Sequence, residues 1–127
     1  MIITNKEMQN KVQVLNNISN KQLPVKCSYS IAKNIEIINS ELKIFEKEKM
    51  KIINEYTEKD ENGENKVLNN RFVFIEDKEE ECNKKYNELL DIEIELNLRK
   101  ININDLINSN INFTPGELVD LDFMITE

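Results

Sequence analysis

Histidine is absent from all 127 residues, and with it the commonest general base, proton shuttle and metal ligand. That argues against most hydrolase and metalloenzyme designs. Tryptophan is also missing and aromatic residues make up only 6%, so any core has to be aliphatic, and isoleucine dominates the apolar positions. The two glycines, Gly63 and Gly116, are too few and too far apart for a phosphate-cradling loop, a dinucleotide fingerprint or a GxSxG elbow. The two cysteines, Cys27 and Cys82, lack CxxC spacing and cannot build a disulfide framework, so both are expected to be free structural thiols in a reducing cytosol. No run of about eighteen apolar residues occurs, and the N-terminus lacks the basic-then-apolar layout of a signal peptide. A cytoplasmic location is the expectation.

What remains is 39% hydrophobic and 32% charged, enough for one modest core and hence a single domain over 1–127. Charge is spread unevenly. Residues 1–57 carry nine lysines against six carboxylates, net +3, whereas residues 58–127 carry eight cations against eighteen carboxylates, net −10. An acidic chain of this kind disfavours nonspecific nucleic-acid binding, which draws on a clustered basic surface, and leaves room for a local basic site in the first half.

Along the chain, Thr4 and Glu7 have capping-box spacing after the apolar Met1, Ile2 and Ile3, so a short strand leads into a first helix with Met8, Val12, Leu15 and Ile18 on one face. Pro24 ends that segment. From Ile31 a second helix carries Ile35, Ile38, Leu42 and Phe45, then Lys49 as an interruption, then Ile52 and Tyr56, at alternating spacings of four and three, a coiled-coil-like seam that needs a partner surface. Asp60–Glu64 marks its end, with Gly63 supplying positive φ. Phe72–Ile75 reads as a short strand, and a third helix from Glu76 turns Cys82, Tyr86 and Leu89 inwards and returns along the second. The period then changes to two: Ile92, Ile94, Leu96 and Leu98 alternate with polar residues, the pattern of a half-buried strand pairing with residues 1–3 and 72–75. Its parity shifts at Arg99 and Lys100 towards Ile101 and Ile103, which predicts a bulge or turn. Thr114, Pro115 and Glu117 then start a last helix carrying Leu118, Leu121 and Met124 or Ile125. The predicted class is α+β, predominantly helical, with a long helical hairpin and a small antiparallel sheet.

Candidate chemistry is sparse. Glu79, Glu80 and Glu81, and the pair Glu93 and Glu95, read as solvated faces, and the Asp60 turn lacks the alternating ligands of a calcium loop. Neither a catalytic residue nor a metal or other cofactor is expected. One segment stands out: Lys26, Ser28, Tyr29 and Lys33 surround the start of the long helix, where unpaired N–H groups favour an anion and Tyr29 can stack on a base. Arg71 is a further candidate ligand-binding residue. A plainer reading has Ser28 or Ser30 capping the helix and Tyr29 packing in the core.

The segments LPVKCSYSIAKN at 23–34, EYTEKDENGE at 55–64, KYNELLDIEIEL at 85–96 and FTPGELVDLDFMI at 113–125 together resemble a group of small uncharacterised phage proteins. The resemblance implies a viral accessory protein made in the host bacterial cytosol. Its implied role is binding and not catalysis: an anti-defence inhibitor that blocks a host defence protein or sequesters a nucleotide second messenger. The alternative is a structural or assembly protein that oligomerises through its long helix, and a homo-oligomer is expected in either case. No membrane or nucleic-acid partner is expected.

Overall fold

The computed structural model describes all residues from Met1 to Glu127. Helices dominate, and the strands are short ladders of two or three residues. The single domain expected from length is organised as two compact units, Met1–Leu42 with Glu93–Glu127, and Lys43–Ile92.

In the first unit, β1 (Ile2–Thr4) runs directly into α1 (Asn5–Ile18), where the Thr4 hydroxyl accepts the Glu7 N–H at 3.1 Å. Met8, Leu15 and Ile18 are buried on the face that their spacing predicts. The long helix α2 (Val25–Tyr56) starts six residues before Ile31. The reason is Pro24: its carbonyl accepts the first helical hydrogen bond, from Ser28 N–H at 3.0 Å, and the N–H it lacks is one no helix start would use. Neither serine caps this helix. Ser28 Oγ donates to the Leu23 carbonyl and Ser30 is buried.

β4 (Glu93–Glu95) pairs antiparallel with β1, setting Ile3 opposite Ile94, and the N-terminal amine donates to the Leu96 carbonyl at 3.1 Å. The predicted alternation persists, with Leu96 buried and Glu93 and Glu95 exposed. The ladder itself stops early. Beyond Leu96 the chain is held by a side chain: Arg99 N–H donates to Asn34 Oδ1 at 2.8 Å, and Asn34 Nδ2 donates back to the Arg99 carbonyl at 3.0 Å. Fully buried Asn34 thus does for Arg99 what a neighbouring strand would do.

The chain then forms β5 (Ile101–Asn102), paired in parallel with the C-terminal β6 (Ile125–Thr126), so one of the ladders departs from the antiparallel expectation. A short helix α4 (Ile103–Ile107), which the shifted parity of Ile101 and Ile103 does not predict, follows because the Asn102 side chain caps it by accepting Asn104 N–H at 2.8 Å. Before α5 (Pro115–Leu121), Thr114 and Glu117 form the reciprocal capping box that their spacing predicts, both bonds at 3.1 Å. Those bonds and Lys21 hold the Glu117 carboxyl below its ordinary range. Leu121 and Met124 close the core on Met8, Leu15, Ile38 and Leu96.

In the second unit, the end of α2 packs against α3 (Glu79–Leu90), which runs antiparallel to it. Phe45 lies 6.3 Å from Tyr86, and the Tyr56 hydroxyl donates to Glu81 at 3.1 Å. Cys82 and Leu89 are buried as expected. The helix ends at Tyr56, before the Asp60–Glu64 turn, because the next residues join a small closed arrangement of extended segments. Glu58 N–H donates to the Val73 carbonyl, Val73 N–H to the Lys66 carbonyl and Lys66 N–H to the Glu58 carbonyl, so three segments satisfy one another in a ring of hydrogen bonds.

β2 (Val67–Leu68) and β3 (Arg71–Phe72) form a hairpin whose two turn residues, Asn69 and Asn70, have φ of 53° and 63°. Asparagine tolerates that left-handed backbone better than most residues. The expected 72–75 strand is therefore partly realised, as β3 and a bridge from Phe74 to Thr57, and its partners are these local segments, not the 92–98 strand. Gly63, at φ 77°, closes the adjoining turn, where the Asp60 carboxylate accepts the N–H groups of Asn62 and Glu64. A Cβ at Gly63 would meet nothing within 4 Å. Gly63→Ala should therefore cost only the backbone term, about 1–2 kcal/mol by chemical denaturation; no loss would mean the turn relaxes freely.

Candidate functional site

The first two turns of α2 carry Lys26, Tyr29 and Ser30 on a flank that faces the segment held by Asn34. Together with Arg99, Lys100, Ile101, Asn102, Asp105 and Thr126, they line an open groove of about 470 Å³ in the first unit. Each wall has a local cause. Pro24 fixes where α2 begins, so Lys26 stands in its first turn, beside N–H groups that precede the first helical hydrogen bond. Asn34 fixes the Arg99 backbone, and the β5–β6 pairing fixes Ile101 and Thr126.

The electrostatics favour an anion. Lys26 and Arg99 make no ion pair, whereas Lys33 lies 3.7 Å from Glu36. The Arg99 guanidinium sits over the Tyr29 ring at 4.9 Å from its centre, and the Lys33 ammonium lies 5.7 Å from the same centre. Tyr29 is 51% exposed, so it is a surface platform and does not pack in the core. The Lys100 ammonium donates to the Phe123 carbonyl, which anchors it at the rim. Asp105 is the one carboxylate lining the groove. Cys27, at the floor, is buried, and burial, then the Asp105 charge, push its thiol above the ordinary value. A thiol held in that form is a poor nucleophile.

Of the residues that the sequence singled out, the structure brings Lys26 and Tyr29 into one groove, with Lys33 alongside through the Tyr29 ring. Ser28 lines a separate small crevice with Leu23 and Ile35. Arg71 belongs to the second unit, in a cavity of about 990 Å³ shared with Phe72, Phe74 and several carboxylates. Sequence reasoning missed Arg99, Lys100, Asn102 and Asp105. The adjacent basic pair at 99–100 is the available signal, but its pattern predicts only a bulge or turn. No group of three or more cysteine, aspartate or glutamate side chains is placed to hold a metal ion, and no helix is long and apolar enough to cross a membrane.

Comparison of the chain with protein-family models, with curated proteins and with solved structures gave no match. The functional reading therefore rests on the residues of the groove.

Proposed function

We propose that this chain works by binding a phosphate-bearing small molecule of the nucleotide class in the groove at the start of α2, and that it does so as a phage accessory protein that withholds such a signal from host antiviral defence. The observation that carries the binding reading is one groove that holds two cations without carboxylate partners, Lys26 and Arg99, together with an aromatic platform, Tyr29, on which Arg99 lies, in a chain whose net charge is −7. An anion repelled by most of the surface is admitted at this place. Lys26 supplies a compact charge beside free N–H groups, Arg99 a planar fork for phosphate oxygens, and the Tyr29 and Arg99 planes a surface for a base. Calorimetric titration with nucleoside diphosphates and cyclic dinucleotides, at low and at high salt, tests this. Saturable binding that weakens with salt supports it, and no heat with any of them overturns it.

A second reading, assembly through α2, has its own observation. The predicted seam does not lack cover: Ile31, Ile38, Phe45 and Tyr56 are all buried within the chain. What α2 leaves outside is Ile44, 60% exposed, and Met50, 39% exposed, next to Lys43 and Lys47, which make no ion pair. If a second copy covers this flank, Ile44→Asp should convert the assembly to monomers in sedimentation velocity. A wild-type chain that already sediments as a monomer at micromolar concentration removes this reading.

A further inference from the structure

We infer that the groove discriminates among bases and prefers guanine, with Asp105 and Asn102 reading the base edge; this rests on the nucleotide reading above. A carboxylate in an otherwise basic groove works against phosphate binding, so its presence calls for a use. Asp105 makes no ion pair and lines the groove together with Asn102, three residues earlier. It lies close enough to Cys27 for its charge to be felt at that thiol. Asn102 is half committed. Its side-chain oxygen accepts Asn104 N–H as the cap of α4, which fixes the amide group and leaves its NH₂ to donate elsewhere.

The pair thus presents two carboxylate acceptors beside one amide donor. Guanine alone among the common bases has a matching edge, with N1–H and the N2 amino group as adjacent donors beside the O6 acceptor. Adenine offers one donor next to the N1 lone pair, which a carboxylate repels. Cytosine offers one donor beside two acceptors, and uracil a single N–H between two carbonyls. Asp105 is half-buried and Asn102 exposed, so a base that lacks the matching donor set forfeits bonds the site could make, which favours guanine over the others.

The phosphates and the base then divide the groove. Lys26 and Arg99 take the phosphates, while Asp105 and Asn102, on the α4 side, take the base edge. Tyr29 and the Arg99 plane provide the stacking surface.

The test is calorimetric titration of the full chain with GDP, inosine diphosphate and ADP, with the Asp105→Asn variant run alongside and its folding checked by circular dichroism. GDP should bind about tenfold or more tighter than ADP, with inosine diphosphate, which lacks the N2 amino group, between them. In Asp105→Asn the preference for GDP over inosine diphosphate should collapse while ADP binding holds or improves, since a carboxylate repelled by both phosphate and adenine has gone. If wild type binds GDP and ADP alike, or if the variant keeps the full preference, the guanine inference is wrong and the phosphate reading stands. If none of the three binds, the phosphate reading fails first and takes this one with it. The wild-type comparison of the three nucleotides decides the matter even if the variant does not fold.

Discussion

Asn34→Leu should lower the stability of the chain by about 1–3 kcal/mol, because it strips two part-buried backbone groups of their partners while keeping the branched shape of the side chain. Asn34 is fully buried, and its amide both accepts from Arg99 N–H and donates to the Arg99 carbonyl. Its Nδ2 also approaches Met124 Sδ at 3.7 Å. Leucine has the branched shape of asparagine but neither donor nor acceptor, so the Arg99 N–H and carbonyl would lose their partners on the side that the helix covers. Asn34→Ala separates the two possible causes. Its smaller side chain opens space into which a water can reach the same groups, so a hydrogen-bonding role predicts that alanine costs no more than leucine. A packing role predicts the opposite, with leucine close to wild type and alanine severely destabilised. Urea denaturation of all three chains, read as midpoints with unchanged slopes, distinguishes them. A leucine variant as stable as wild type would show that the Asn34–Arg99 bonds contribute little.

Asn34 also shows what the sequence could and could not reveal. The face of α2 was legible because Ile31, Ile38, Phe45 and Tyr56 recur at helical spacing, and the strand predicted over 92–98 was legible in part, realised as Glu93–Glu95, because its apolar residues alternate. Caps were legible at Thr4 and Thr114 because a capping box is a local pattern of four residues. Asn34 lies on the same buried face, between Ile31 and Ile38, but its partner is 65 residues away and no local rule names it. The groove inherits that blindness. Lys26 and Tyr29 were visible as chemistry near a helix start, whereas Arg99, Asn102 and Asp105 reach them only through the Asn34 bridge and the parallel pairing of β5 with β6. A parallel ladder of two residues has too little periodicity to announce itself. The Asn69–Asn70 turn carried a signal of its own, since asparagine at both central positions suits positive φ, but the short segments around it lacked the alternation that marks a hairpin.

The largest functional effect should come from Arg99. If a phosphate-bearing ligand occupies the groove, Arg99→Ala removes a charge-assisted bond and half of the Tyr29 platform, and with each charged hydrogen bond contributing roughly 1.5–3 kcal/mol, affinity should fall about tenfold to a hundredfold. Lys26→Ala should cost about tenfold, as it removes one compact charge and no stacking surface. Lys33→Ala should cost the least of the three, because that ammonium is already shared between Glu36 and the Tyr29 ring. Folding should hardly register any of these changes. The side chains of Lys26, Lys33 and Arg99 lie outside the buried set, and the Arg99 main chain is held by Asn34 whatever side chain it carries. Replacing such residues costs typically within about half a kcal/mol. Arg99→Lys adds a discriminating step: it keeps the charge and loses the planar stack, so its affinity should fall between wild type and alanine if stacking contributes, and should match wild type if charge alone matters. Lys43→Ala, in the second unit, serves as the control for net charge. The measurements are titration of each variant against GDP at two salt concentrations, with melting curves. Loss confined to Arg99 and Lys26, with melting unchanged and Lys43→Ala silent, places the ligand in the groove. Equal losses for Lys43→Ala would mean that overall charge governs binding, and the groove would no longer be its explanation.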